Sequence, residues 1–160
     1  MNALILYATK HGATFGIAQR IADNIGGATL HDLKQGNAPD LAGFDCVIIG
    51  SSLYAGAVRK EAKVFLVKNA DSLQGKTIGL FLSGLQFDEE QKAIEANFSP
   101  TLLQTANVVS FLGGIFDPQK AGVMERFIMK VVTKQTEYTN TIDNEKVKQF
   151  AALIKPSQGG

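Results

Sequence analysis

Residues Ala3-Leu4-Ile5-Leu6-Tyr7-Ala8 form an unbroken apolar run, and the chain leaves it through Thr9-Lys10-His11-Gly12-Ala13-Thr14 straight into a helical pattern. An apolar run this short suits a strand covered on both faces. Ile17, Ala18, Ile21, Ala22 and Ile25 then recur at helical spacing, with Gly26-Gly27 as a C-terminal stop. Strand, short turn and helix start together make an anion cradle. The first amides of a helix point outward without partners, and the helix dipole favours negative charge there. Gly12 lets the backbone come close to a ligand, and the hydroxyls of Thr9 and Thr14 add hydrogen bonds. The turn therefore predicts a phosphorylated cofactor at the end of the first strand.

The same alternation continues along the chain. Residues 28–33 read as a short second strand, and Asp45-Cys46-Val47-Ile48-Ile49-Gly50 as a buried third. Val58, Ala62, Phe65 and Leu66 follow at helical spacing, and Lys76–Leu82 is a fourth strand. Asp88 reads as an N-cap with Gln91 completing a capping box. Residues 106–114 supply a fifth strand, and Val147, Phe150, Ala151 and Ile154 mark a last helix. Short apolar strands separated by helices predict an α/β fold, a doubly wound, five-stranded parallel sheet in three α/β/α layers. A chain of 160 residues with 45% hydrophobic content suits one domain, here 1–155, with 156–160 a frayed tail.

Composition narrows the function classes. A net charge of +1 gives no nucleic-acid signature. The single cysteine, Cys46, allows no internal disulfide framework, fits a reducing compartment and sits in a strand, as a buried structural thiol does. No Cys/His cluster has zinc spacing, so no metal is expected. No apolar run is long enough to span a bilayer, and the N-terminus enters a strand without a basic n-region or cleavage site. A cytoplasmic location is the resulting expectation.

Doubly wound sheets bind ligands at the carboxyl ends of strands, beside the point where strand order reverses. Three turns occupy such ends: Thr9–Thr14, Ser51-Ser52-Leu53-Tyr54-Ala55-Gly56 and Ser83-Gly84-Leu85-Gln86-Phe87-Asp88. The first would hold a phosphate; the second and third would flank a flat ring. Tyr54 stacks on that ring or packs at the sheet edge; Phe87 stacks or caps the core. His11 contacts the phosphate or offers only its backbone N–H, and His31 reads as a surface or edge residue. A phosphate at one end and an aromatic slot at the other describe a mononucleotide, and FMN fits best. No side chain needs to do covalent chemistry, because the cofactor carries the electrons.

With these residues the chain resembles the flavodoxin family, on Thr9–Thr14 for the phosphate loop, on Ser51–Gly56 for the next loop, and in element order over nearly its whole length. The resemblance implies a five-stranded doubly wound sheet, noncovalent FMN and redox function through the flavin. A receiver-type phosphorylation domain would need carboxylates where Thr9 and Lys10 stand, and a dinucleotide domain would need G-x-G-x-x-G after the first strand.

Residues 115–142 depart from that pattern as an insertion between the fifth strand and the last helix. Val123, Met124, Phe127, Ile128, Val131 and Val132 predict an amphipathic helix, with Arg126, Lys130 and Lys134 as a basic stripe at i, i+4, i+8. Such a helix packs its apolar side on the core, lies on a membrane surface, or meets a partner. The run Met124–Lys134 also resembles a segment of the menaquinone-dependent protoporphyrinogen oxidases, although Phe116-Asp117-Pro118-Gln119-Lys120 replaces their aromatic- and arginine-rich approach. This resemblance implies oxidation of a porphyrinogen through FMN, with a quinone acceptor at the inner face of a membrane. Three readings stand side by side: an FMN oxidoreductase of this type, a soluble electron carrier serving a redox partner protein, and a non-enzymatic binding module on the same fold.

Overall fold

The computed structural model describes residues 1–85, 89–133 and 137–155. Gln86, Phe87, Asp88, Lys134 and the 156–160 tail lie outside the described residues, as do the side chains of Ile128 and Val132.

Strands and helices alternate as β1 (Ala3–Ala8), α1 (Ala13–Ile25), β2 (Thr29–Asp32), β3 (Cys46–Tyr54), β4 (Ala57–Val58), α2 (Lys60–Lys68), β5 (Thr77–Ser83), α3 (Glu90–Asn97), α4 (Pro100–Thr105) and β6 (Val108–Phe111). Then come β7 (Ile115–Phe116), α5 (Val123–Ile128), a π-helical turn (Met129–Thr133), β8 (Thr139–Asn140) and α6 (Asn144–Ile154). The parallel strands lie in the order β2-β1-β3-β5-β6, so the direction of winding reverses between β1 and β3.

Period-2 alternation along the strands divides the core into two layers. Leu4 and Leu6 of β1, Val47 and Ile49 of β3, and Leu80 and Leu82 of β5 pack with Ala62 and Phe65 of α2 and Ile94 of α3. Ile5, Ile48 and Phe81 face the other way, onto Ile17 and Ile21 of α1 and Val147, Phe150 and Ile154 of α6. Phe81 and Phe150 meet edge to face at 6.0 Å and 84°. Opposite Phe81 in the register stands Gly50, where a Cβ would collide with the phenyl ring. The glycine is thus what lets a large ring lie flat against the sheet.

Several boundaries differ from the sequence reading. β3 runs on to Tyr54, so most of the Ser51–Gly56 segment is strand, and Val58 belongs to β4 rather than to a helix. The expected 106–114 strand contracts to Val108–Phe111. Helix α3 starts at Glu90 with Glu89 at its N-cap and no side-chain cap, and the Gln91 amide donates to Glu95 at 3.1 Å; the expected capping residue Asp88 lies outside the described residues. The helix α4 was not anticipated, although Ser99-Pro100 is a start signal: Ser99 caps Leu102 N–H and Pro100 takes the first helical position.

The 115–142 segment, expected as an insertion, leaves and rejoins the body through a two-stranded ribbon, with Ile115 opposite Asn140 and Phe116 opposite Thr139. Its amphipathic segment is not one regular α-helix. Six residues of α5 give way to the π-helical turn, which shifts the side-chain phase. Four of its apolar side chains face outward: Met124 is 68% exposed and Phe127 62%, and Val123 and Val131 are exposed too.

Candidate functional site

The register brings three strand ends to one edge. Ala8 lies opposite Ser51, and Ser52 opposite Ser83, so the turns that follow β1 and β5 flank the end of β3. The first turn folds as a cradle. Gly12 caps α1 with φ 95° and ψ −7°, a left-handed conformation that disfavours any residue with a Cβ. Its amide donates to Thr9 Oγ1 at 3.0 Å, and α1 begins at once with Gly16 N–H donating to Gly12 O. Thr14, in the first turn of α1, is fully buried, and its hydroxyl oxygen has no hydrogen-bond partner among the described residues. A buried unpaired hydroxyl at a helix start is costly on its own. An orphaned group of this kind, at a helix start, fits a phosphate oxygen.

The second segment is a hairpin rather than a loop. Ala55 (φ 51°) and Gly56 (φ 80°) are both left-handed, the signature of a two-residue turn between β3 and β4. Asn97 holds it from α3: its Nδ2 donates to Gly56 O at 2.9 Å and its Oδ1 accepts from Val58 N at 2.9 Å. Ser51 is turned inward, donating to Ser52 O and accepting the Arg59 amide, both at 2.9 Å. The hairpin aims Tyr54 outward, 45% exposed, with the Lys10 ammonium 5.7 Å from its ring centroid.

Of the residues singled out from the sequence, Thr9, Lys10, His11, Ala13, Ser52, Leu53, Tyr54, Ala55, Ser83, Gly84 and Leu85 line one cleft of about 170 Å³. Gly12, Thr14, Ser51 and Gly56 shape its walls from behind rather than line it; Gln86 and Phe87 lie outside the described residues. His31 is half-buried, with Nε2 3.1 Å from Gly36 O, away from the cleft. A larger hollow of about 910 Å³ runs along α2 past Pro39, Lys68 and Lys76. It is open and does not cross the strand ends, so the smaller cleft is the better candidate.

Arg59, Ile115, Phe116, Glu125 and Met129 complete the cleft and were not singled out from the sequence. Glu125 comes from α5. Its carboxylate pairs with the Lys10 ammonium through Oε1 and lies 2.7 Å from His11 Nε2 through Oε2. Burial lowers the pKa of His11 first, with Lys10, Arg59, Lys120 and Lys34 adding to the effect. With its hydrogen on Nε2, the ring donates to the Glu125 carboxylate. Nothing local in the sequence marks Glu125, because its partners lie more than a hundred residues earlier. Arg59 had a weak signal as a cation directly after the hairpin. Among the described residues no His/Cys/Asp/Glu group is arranged to hold a metal ion, and no helix is long and apolar enough to cross a membrane.

Residues 4–143 match the family model described as "Flavodoxin domain". The curated flavodoxin of Synechococcus elongatus is 24% identical over 166 residues, covering 97% of this chain and 96% of that protein. Among solved structures, the flavodoxin of Streptococcus pneumoniae TIGR4 matches with a TM-score of 0.65 at 22% identity, covering 96% of this chain and 97% of that one. The rubredoxin oxygen:oxidoreductase of Desulfovibrio gigas matches with a TM-score of 0.57 at 15% identity; 96% of this chain is covered, but only 35% of that longer protein. The chain belongs to the flavodoxin-domain family, whose cofactor is FMN.

Proposed function

We propose that this chain is a one-cofactor electron-transfer protein, with its FMN held at the carboxyl ends of β1, β3 and β5. The observation that carries the reading is the buried, unpaired Thr14 hydroxyl behind a left-handed Gly12 at the start of α1. Gly12 also starts α1, but the buried hydroxyl beside it gains a partner only when an anion such as a phosphate arrives. Thr9 and the first amides of α1 take the phosphate, with the buried Thr14 hydroxyl directly behind them, and Lys10, His11 and Arg59 add positive or donor groups around it. Tyr54 and the Ser83–Leu85 turn bound the ring on opposite sides. The flavin, when bound, accepts and passes on electrons. The protein's part is to orient the ring, fix its polarity and limit water around it. The test is to add FMN to cofactor-free protein and follow the visible spectrum through gel filtration. Stoichiometric co-elution is the expected result. Failure to take up FMN leaves a binding module on the same fold and overturns the redox reading.

A second reading adds a substrate. The exposed apolar residues of α5, with Arg126 and Lys130 beside them, stand next to the cleft through Glu125 and Met129. That placement supports an acceptor or substrate delivered at a membrane surface to a peripherally bound cytoplasmic protein; the resemblance of Met124–Lys134 to the menaquinone-dependent protoporphyrinogen oxidases makes porphyrinogen oxidation with a quinone acceptor the reaction to assay. An anaerobic assay of the FMN-loaded protein with protoporphyrinogen and a menaquinone analogue separates the two. Turnover supports the oxidoreductase. Fast reduction by a flavodoxin reductase without quinone reaction supports the carrier.

A further inference from the structure

Glu125 is the acidic residue of the cleft lining, and its carboxylate faces both Lys10 and His11. The side chain is only 13% exposed, and both groups that it holds, Lys10 and His11, belong to the cradle turn. A carboxylate carried by the insertion thus already occupies the donors that an arriving phosphate would use.

The insertion is also tied to the opposite end of the cleft. Gly84 N–H donates to Gly113 O at 3.0 Å, and Thr141 N–H donates to Gly114 O at 2.8 Å. A Cβ on Gly114 would stand 2.8 Å from Gly84 N, so the two backbones are in direct contact. The root of the insertion therefore sits on the third turn while α5 reaches the first. Between them Phe116 and Met129 help to narrow the space to about 170 Å³. Pockets that enclose a ligand of this size run to roughly 300–1,000 Å³. An electrostatic observation and a steric one therefore point the same way.

We propose that Glu125 is a resident anion at the phosphate cradle, competing with the phosphate of FMN for Lys10 and His11 and so setting this chain's affinity and selectivity for phosphorylated flavin. The inference rests on the FMN reading above. Carboxylate and phosphate dianion repel at hydrogen-bond range, so both cannot keep the same two partners. The phosphate brings the larger charge and also engages the α1 amides and Thr14, so it wins at sufficient concentration. Displacing Glu125 forfeits two charge-assisted contacts, and the measured affinity is lower than that of an uncontested cradle. Riboflavin has the same ring and no phosphate, so it does not enter the contest.

The experiment compares FMN and riboflavin binding, by quenching of flavin fluorescence, for the natural chain, Glu125→Gln and Gln119→Ala. The first substitution removes the charge while keeping size and hydrogen bonding; the second alters an exposed insertion residue as a control. FMN binding by Glu125→Gln should tighten on the order of tenfold, with riboflavin changing by less than about threefold. Gln119→Ala should match the natural chain for both. Equal tightening of both flavins means that the substitution merely loosened α5 over the cleft, and overturns the competition. Unchanged or weaker FMN binding overturns it too. If neither the natural chain nor Glu125→Gln takes up FMN, the cofactor reading itself fails and this inference with it. That result is distinct from equal FMN binding by both, which sinks the inference alone. A second readout needs no flavin: inorganic phosphate should perturb the His11 ring NMR signals at lower concentration in Glu125→Gln, and an unchanged titration counts against the proposal.

Discussion

At the residue scale the site is defined by two groups that serve the folded chain badly. Thr14 keeps a hydroxyl in the dark at the start of α1, and Ala55 adopts a left-handed conformation that alanine disfavours. For Thr14 the two roles predict effects of opposite sign. Thr14→Val keeps the shape and removes the unpaired hydroxyl, so the cofactor-free protein should gain about 1 kcal/mol in urea denaturation. The same change should weaken FMN binding on the order of tenfold, because a charge-assisted hydrogen bond is lost. Undiminished FMN affinity would show that the hydroxyl does not meet the phosphate. Cys46 is the counter-example of a reactive residue type with no functional part. It is buried in β3, and desolvation pushes its thiol up to about 11, as the apolar run around it suggests.

At the element scale the hairpin Leu53–Val58 is where sequence reading and structure part most usefully. A Ser-, Tyr- and Gly-containing segment after a buried strand reads as a loop. Here it continues as β3 because β4 pairs with it, Asn97 clamps the turn and Ser51 braces Arg59 N–H. None of those partners is local, so no periodicity reveals them. Ala55→Asn converts the turn to Asn-Gly, the preferred pair for two left-handed positions, and should stabilise the protein by about 0.5–1 kcal/mol. Thermal and urea unfolding check it, and a loss of stability would mean that the turn is held by Asn97 regardless of its own residues. The strands β1, β2, β3 and β5 and the helices α1 and α6 were legible because burial on two faces or one stripe leaves a periodic trace. The segment around α5 was half legible. Its apolar stripe is real in the sequence, but the stripe marks neither the π-helical turn nor the exposure of Val123, Met124, Phe127 and Val131.

At the scale of the whole molecule, the parallel sheet and its ligand edge were readable from the order of elements, since right-handed crossovers leave few ways to wind five short strands. What the insertion does was not readable, because Glu125 meets Lys10 and His11 only after everything between them has folded. The architecture nevertheless makes the insertion separable. Among the described side chains of 117–138 none belongs to either core layer, and Ala121 is the buried apolar group there. Phe116 and Thr139 are directly opposed in an antiparallel ribbon, so an Asn-Gly turn can join them in place of 117–138. The shortened chain should still unfold cooperatively, within about 2 kcal/mol of the full chain, because it loses mostly surface contacts. It should also bind FMN more tightly, having lost the competing carboxylate, and it should lose any reaction that depends on the exposed α5 residues while still accepting electrons from a reductase. Urea denaturation, flavin titration and the two electron-transfer assays read these outcomes separately. Non-cooperative unfolding would make the insertion part of the core. Weakened FMN binding in a well-folded shortened chain would make α5 a wall of the cofactor site rather than a rival for its phosphate.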